Sequence, residues 1–271
     1  MTDLHVANDL RFAEVDGRAV FLNFRSESYY VLDPVASTMW RQVALRRPRS
    51  EILRTLEAHW PGEQCGVDAA RLATDFDAFV NNCVEAGFLE SQVRSPSLVA
   101  EEPCAQARGR WRGRGFLTLR AGWSLWRASR WLAKWGFSGA YRRFSCLPRP
   151  MVPLAPTPMA PSDEVEALVN TPPVEALVTT ADDQTLLLTR AVAAFSRAEN
   201  FFHLRRAPQD CLPRSLALFG FLRQLGLSAE HVIGVQLFPF LAHAWVEHRG
   251  RVVHDDPENP RRFTAIAKIA A

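Results

Sequence analysis

Asp210-Cys211-Leu212-Pro213-Arg214-Ser215-Leu216-Ala217-Leu218 puts a cysteine where a helix should begin. Pro208-Gln209-Asp210 breaks the chain, Asp210 can cap the first free amides, and Cys211 takes the first helical position. Pro213 falls in the first turn, where a missing amide proton costs little. Leu212, Leu216, Phe219 and Leu222 predict an inward face, and Gly226 a stop. Amide dipoles at a helix N-terminus favour a thiolate, although an Asp210 charge aimed at the sulfur would oppose this.

His243 follows Cys211 by 32 residues and Asp255 follows His243 by 12. His231–Leu237, Ala242–Glu247 and Arg251–Asp255 read as strands, the last two paired through a turn at Arg249-Gly250. With His248–Gly250 as the loop, His243 and Asp255 come close to opposite one another. Asp256 stays open as the alternative acid, because successive strand residues face opposite ways. Taken singly, a cysteine is a small buried apolar residue, a histidine an ordinary hydrogen-bonded one, and Asp255 a cap for the turn at Pro257. A metal site through His243, His254 and Asp255 lacks a ligand pair at helical spacing. Together Cys211, His243 and Asp255 are the thiol, imidazole and carboxylate of covalent acyl transfer. Amides at the helix start, with Gln209 as a candidate side-chain donor, would stabilise the oxyanion. A helix over Asp182–Phe195, with Leu186, Leu187, Ala191, Ala194 and Phe195 as its buried stripe, opens this half.

Cys211–Leu218, Val232-Ile233-Gly234-Val235, Pro239-Phe240, Ala242-His243-Ala244-Trp245-Val246-Glu247 and Val252-Val253-His254-Asp255 resemble the transglutaminase-like peptidase of lasso-peptide biosynthesis, over about residues 181 to 265. The resemblance implies a transglutaminase-like or papain-like cysteine peptidase with Cys211, His243 and Asp255 as catalytic residues. It further implies removal of a leader from a precursor peptide, which frees the core's α-amine for macrolactam closure by an asparagine-synthetase-like lasso cyclase. Members of that family depend on ATP when acting with the cyclase. This chain has no glycine-rich phosphate loop, so no cofactor is assigned to it. Two other readings stay open: a non-catalytic scaffold carrying the precursor to the cyclase, and an amine acyltransferase of the transglutaminase-like class.

Toward the N-terminus, Ala19–Phe24 and Ser28–Leu32 are short β-branched and aromatic runs split by Arg25-Ser26-Glu27, which predicts a hairpin. Asp33-Pro34 starts a helix with Val35, Met39, Trp40 and Val43 on its apolar face. Ser50–Trp60 predicts a second helix, and Val67–Ala86 a third with Leu72, Phe76, Phe79, Val80 and Cys83 inward. Gly87 stops it, and Phe88-Leu89 returns toward the sheet. Tyr29–Ala36, Trp40 and Gly87-Phe88-Leu89 make about residues 5 to 92 resemble the winged-helix PqqD-like domains that recognise leader peptides in ribosomal-peptide maturation. The resemblance implies a leader adding as a strand to the sheet edge and lying against the third helix. Tyr29, Tyr30, Val31, Leu32, Phe76 and Phe79 are the candidate contacts, although Tyr29, Tyr30 and Trp40 also suit ordinary core positions.

Charge divides the chain. Residues 1–102 carry 10 basic and 16 acidic side chains, residues 163–271 carry 11 and 13, and residues 103–162 carry 11 basic and none acidic. The acidic first segment argues against nucleic acid. The middle holds alternating Arg108, Arg110, Arg112 and Arg114, then a predicted helix Phe116–Trp135 with Trp123, Trp126, Trp131 and Trp135. This basic Trp-rich helix could pack on the catalytic half, meet an anionic membrane surface or meet a partner protein. Six prolines between Pro148 and Pro161 make an extended connector.

An α+β protein is therefore expected: a recognition domain over 1–95, a basic helix and Pro-rich linker over 96–162, and a peptidase domain over 163–271. Five scattered cysteines, an N-terminus without a secretory pattern and no apolar run of membrane length lead us to expect a cytoplasmic protein.

Overall fold

The chain enters the fold through a short strand, β1 (His5–Val6). The computed structural model describes residues 4–59, 68–91, 114–145, 181–201 and 210–270. Strands β2 (Leu10–Val15) and β3 (Arg18–Asn23) are joined by Asp16 and Gly17, both at positive φ, in the two-residue turn that suits twisted antiparallel strands. With β4 (Ser28–Val31) they form a sheet of order β2-β3-β4, so among the described residues β4 has one free edge. Asp33 Oδ1 accepts from the Ala36 amide at 2.8 Å and caps α1 (Pro34–Ala44), as Asp33-Pro34 predicts. Helices α2 (Arg49–His59) and α3 (Ala69–Glu85) follow. Gly87 ends α3 at φ 71°, but Leu89-Glu90 (β5) pairs with β1 in a separate two-stranded ladder instead of rejoining the hairpin.

Alternation along β3 explains why Ala19–Leu22 is apolar without a break. Ala19 and Phe21 face the helices and join a core with Trp40, Ile52, Leu56 and Phe76. Val20, Leu22 and Phe24 face the other way, into a core shared with Ile233, Val235, Leu237, Ala244 and Ile266 of the C-terminal half. A sheet covered on both sides has no polar face to show.

The C-terminal half is built on α4 (Arg114–Ser145), α5 (Ala181–Phe201) and α6 (Cys211–Gln224), packed on an antiparallel sheet. That sheet has the order β8-β7-β6-β9, from β6 (Glu230–Gln236), β7 (Leu241–His248), β8 (Arg251–Val253) and β9 (Thr264–Ala270). A single turn, α7 (Asn259–Arg262), precedes β9. The residues from Ser215 to Arg223 of α6 are buried on every side, because α4, α5 and β7 surround it. The predicted single inward face was too narrow.

Helix α4 runs beyond the predicted end at Trp135, with a break at Gly136 (φ 65°, ψ −172°). The break docks on the N-terminal sheet: the Phe137 amide donates to Glu27 Oε1 and the Ser138 hydroxyl to the Phe24 carbonyl. The positive φ at this break calls for glycine, and a Cβ there would push against the Glu27 carboxylate that accepts from Phe137. The four tryptophans do not share a face. Trp131 packs against the helical core, while Trp123 and Trp126 stack on each other at 4.8 Å and are exposed. The Arg108–Arg112 arm and the proline-rich connector lie outside the described residues. Among the described residues no helix is long and apolar enough to cross a membrane.

Candidate active site

Cys211 is the first residue of α6, half-buried, as the break before it predicts. Asp210 precedes it at φ −95° and ψ 2° and makes no side-chain cap hydrogen bond, so the expected cap is absent. Gln209 lies outside the described residues.

His243 sits on β7 opposite Gly234 of β6, where a bare backbone leaves room for the Trp245 and Phe263 rings. Those two rings flank the imidazole, with centroids 6.1 and 5.4 Å away. His243 Nε2 lies 3.0 Å from Asp255 Oδ2, and the Cys211 thiol is its second hydrogen-bonding neighbour. The bond to Asp255 and then that to Cys211 outweigh burial, and the imidazole pKa is pushed up to about 9. For Asp255, burial is offset by the His243 bond, the Asp256 amide at 2.8 Å and the His243 charge, and the carboxyl is held below its ordinary range.

The choice between Asp255 and Asp256 is made by one backbone angle. Arg249 and Gly250, both at positive φ, form the turn and pair His248 with Arg251, one residue tighter than a His248–Gly250 loop. Continuing the Val246–Val253 register would set Asp256 opposite His243. The strand instead ends at Val253, and His254 adopts φ 61°, a left-handed bend. Asp255 thereby reaches His243, while Asp256 accepts from the Glu258 amide at 2.9 Å and pairs with Arg262 at 3.6 Å. His254 turns to Glu199, 2.5 Å away, so the three residues of the metal reading do not converge. Among the described residues no three His, Cys, Asp or Glu side chains are grouped to hold a metal.

Cys211, His243 and Asp255 open on a cleft of about 780 Å³, walled by Leu241 and Phe263 on one side and Arg214 and Arg262 on another. Cys83, the other cysteine among the described residues, is buried in the N-terminal core, and burial pushes its thiol up to about 12.

The candidate leader contacts separate by face. Tyr30 and Val31 are exposed, while Leu32 and Phe79 are half-buried against the N-terminal core. Phe76 is fully buried in that core and offers a peptide no surface, which corrects its assignment as a contact. Tyr29 points the other way, into the shared core that Cys211 also contacts, with its ring 5.5 Å from Phe240. Burial and then the charge of Cys211 push its phenol up to about 12. That a β4 residue reaches Cys211 was not readable from the sequence, because it depends on how the two sheets meet.

Two family models match the chain: the PqqD model (coenzyme PQQ synthesis protein D) over residues 18–89 and the transglutaminase-like superfamily over residues 164–268. The chain thus joins a PqqD-type segment to a transglutaminase-like one. The PqqD-type half supplies the sheet with the free β4 edge, and the transglutaminase-like half supplies Cys211, His243 and Asp255. A curated relative, the microcin J25-processing protein McjB of Escherichia coli, is 41% identical over 68 residues, or 25% of this chain. The chain spans about a third of that relative's length. A solved structure, TbiB1 in complex with the TbiA(beta) leader peptide, is 21% identical over 33% of this chain and 98% of its own, with a TM-score of 0.29.

Proposed function

We propose that this protein is a leader peptidase of lasso-peptide maturation, a cysteine peptidase that binds a precursor through its PqqD-type half and cuts it at Cys211. The observation that carries the reading is His243 held at 3.0 Å by Asp255 with the Cys211 thiol as its other neighbour. An imidazole raised to about 9 is cationic at neutral pH, the partner that a thiolate nucleophile needs. The name of McjB, a processing protein, supports the same assignment.

The leader adds as a strand to the free edge of β4, beside Tyr30 and Val31. The Cys211 sulfur attacks the scissile carbonyl, and the resulting oxyanion is met by amides at the start of α6. As the adduct collapses the C–N bond breaks, and the imidazolium proton passes to the departing nitrogen, the core's α-amine. Neutral His243 then takes a proton from water while the water oxygen attacks the thioester. The C–S bond breaks, the leader leaves as its carboxylic acid, which gives its remaining proton to solvent, and the thiolate–imidazolium pair is restored. Asp255 keeps the imidazole oriented through both steps. The freed amine passes to an asparagine-synthetase-like cyclase, and any ATP requirement belongs to that partner.

Incubating precursor with this protein, with and without the cyclase and ATP, and weighing the products tests the proposal. Leader acid and core should form with the wild type and not with Cys211→Ala. Cleavage by the variant refutes the assignment. A leader joined to an added amine identifies an acyltransferase, and precursor bound but never cut identifies a scaffold.

A further inference from the structure

Glu199 is a carboxylate with no part in the chemistry above, yet it is only 3% exposed and lines a small cavity beside Cys211, Arg214 and Asp255. It projects from α5, and its two oxygens are both taken. Arg214 Nε donates to Oε1 at 2.7 Å, and His254 Nε2 meets Oε2 at 2.5 Å. Burial is outweighed by these bonds and by the charges of Arg214 and His254, so the carboxyl is held below its ordinary range. A buried carboxylate costs several kcal/mol in lost hydration, and an ion pair recovers this only with good geometry. Filling such a place with an apolar side chain is often neutral for stability, so folding alone gives little reason for a charge here.

The two partners explain the charge. Arg214 lies in the first turn of α6, three residues after Cys211. His254 is the left-handed residue immediately before Asp255. Glu199 thus grips both chain segments whose separation sets how nucleophile, imidazole and acid align. A non-glycine residue at φ 61° is strained, and such a conformation persists only where surrounding contacts hold it.

We propose that Glu199 is a positioning residue, whose bonds to His254 and Arg214 hold the bend that brings Asp255 to His243 and the helix start that presents Cys211. The proposal rests on the peptidase reading for its consequence in turnover, but its geometry can be tested without substrate. Iodoacetamide labelling of Cys211 in the full chain, followed by mass spectrometry across a pH series, reads the sulfur and its imidazole directly. The titratable and charged groups that line the cleft with His243 are Cys211 and Arg214 of α6, His254, Asp255 and Asp256 of the bend, and Arg262 of α7. None of these is altered in Glu199→Gln, which keeps an acceptor for Arg214 but loses the charge.

Glu199→Gln should lower the melting temperature but still fold and keep the precursor KM, while kcat and Cys211 labelling of the folded protein near neutral pH fall about 10- to 100-fold, the scale of a small misalignment. The upper limb of the labelling profile should move to lower pH as His243 loses its hold on Asp255. Glu199→Ala should be worse than Glu199→Gln. His254→Asn, which tolerates the left-handed bend but ends the contact with Glu199, should act in the same direction and covers the case in which Glu199→Ala does not fold. Wild-type labelling and kcat in folded Glu199→Gln and His254→Asn overturn the proposal, as does a loss that only follows the unfolded fraction. A wild type that never cuts precursor, with labelling still dependent on Glu199, sinks the peptidase reading and leaves the positioning role standing.

Discussion

His243 gives the site its dependence on pH. Its folded pKa of about 9 lies above the ordinary histidine value near 6.5, so the folded state binds this proton more tightly than the unfolded chain does. The stabilisation is therefore fully present below about pH 6.5 and is lost as pH rises through about 9. Denaturant unfolding from neutral to alkaline pH should show a decline of about 1–2 kcal/mol, a figure discounted because the ring lines an open cleft. Asp255→Asn should flatten that decline, since the largest cause of the raised value is the bond to Asp255. An equal decline in the variant would assign the effect to another group.

The elements differ in how openly the sequence declares them. Asp33-Pro34 and the start of α6 are legible because capping and proline placement are local, as is β7, whose apolar run survives on both faces. Strand β9 was not legible: Thr264-Ala-Ile-Ala-Lys-Ile-Ala has little β propensity and pairs with β6 only through tertiary contact. Strand β2 is similarly masked, because Arg11 and Glu14 interrupt it. Sequence alone leaves the acid that meets His243 between two residues, since the bend at His254 rests on a distant helix that no local pattern mentions. Among these elements β4 carries the binding prediction. The Leu32 amide donates to Ala19, so the alternating amides of Val31 and Tyr29 face the free edge. Val31→Pro removes an outward donor without breaking a bond of the sheet. Leader-peptide affinity, followed by fluorescence anisotropy, should fall up to about 10-fold, the worth of one hydrogen bond. Unchanged affinity would exclude this edge as the docking strand.

At the scale of the whole molecule, the two halves are joined by a core to which both contribute. Val20, Leu22 and Phe24 meet Ile233, Val235 and Ala244, and the Gly136 break in α4 is bonded to the hairpin turn beside them. Wild-type protein should therefore unfold in one transition whether followed by fluorescence or by circular dichroism. Leu22→Asp would bury an unpaired charge at this joint and should cost at least about 3 kcal/mol, with the two probes then separating. Coincident transitions at undiminished stability in the variant would mean that the halves hold together by other means.

That joint also fixes a length. With both sheets packed into one core, the span from the β4 edge to the Cys211 sulfur does not vary as it would across a tether. For a leader docked on β4, the bond that reaches the sulfur is then decided by the number of residues between. On the proposed peptidase reading, the molecule would act as a ruler, measuring along its substrate as much as reading the residues at the cut.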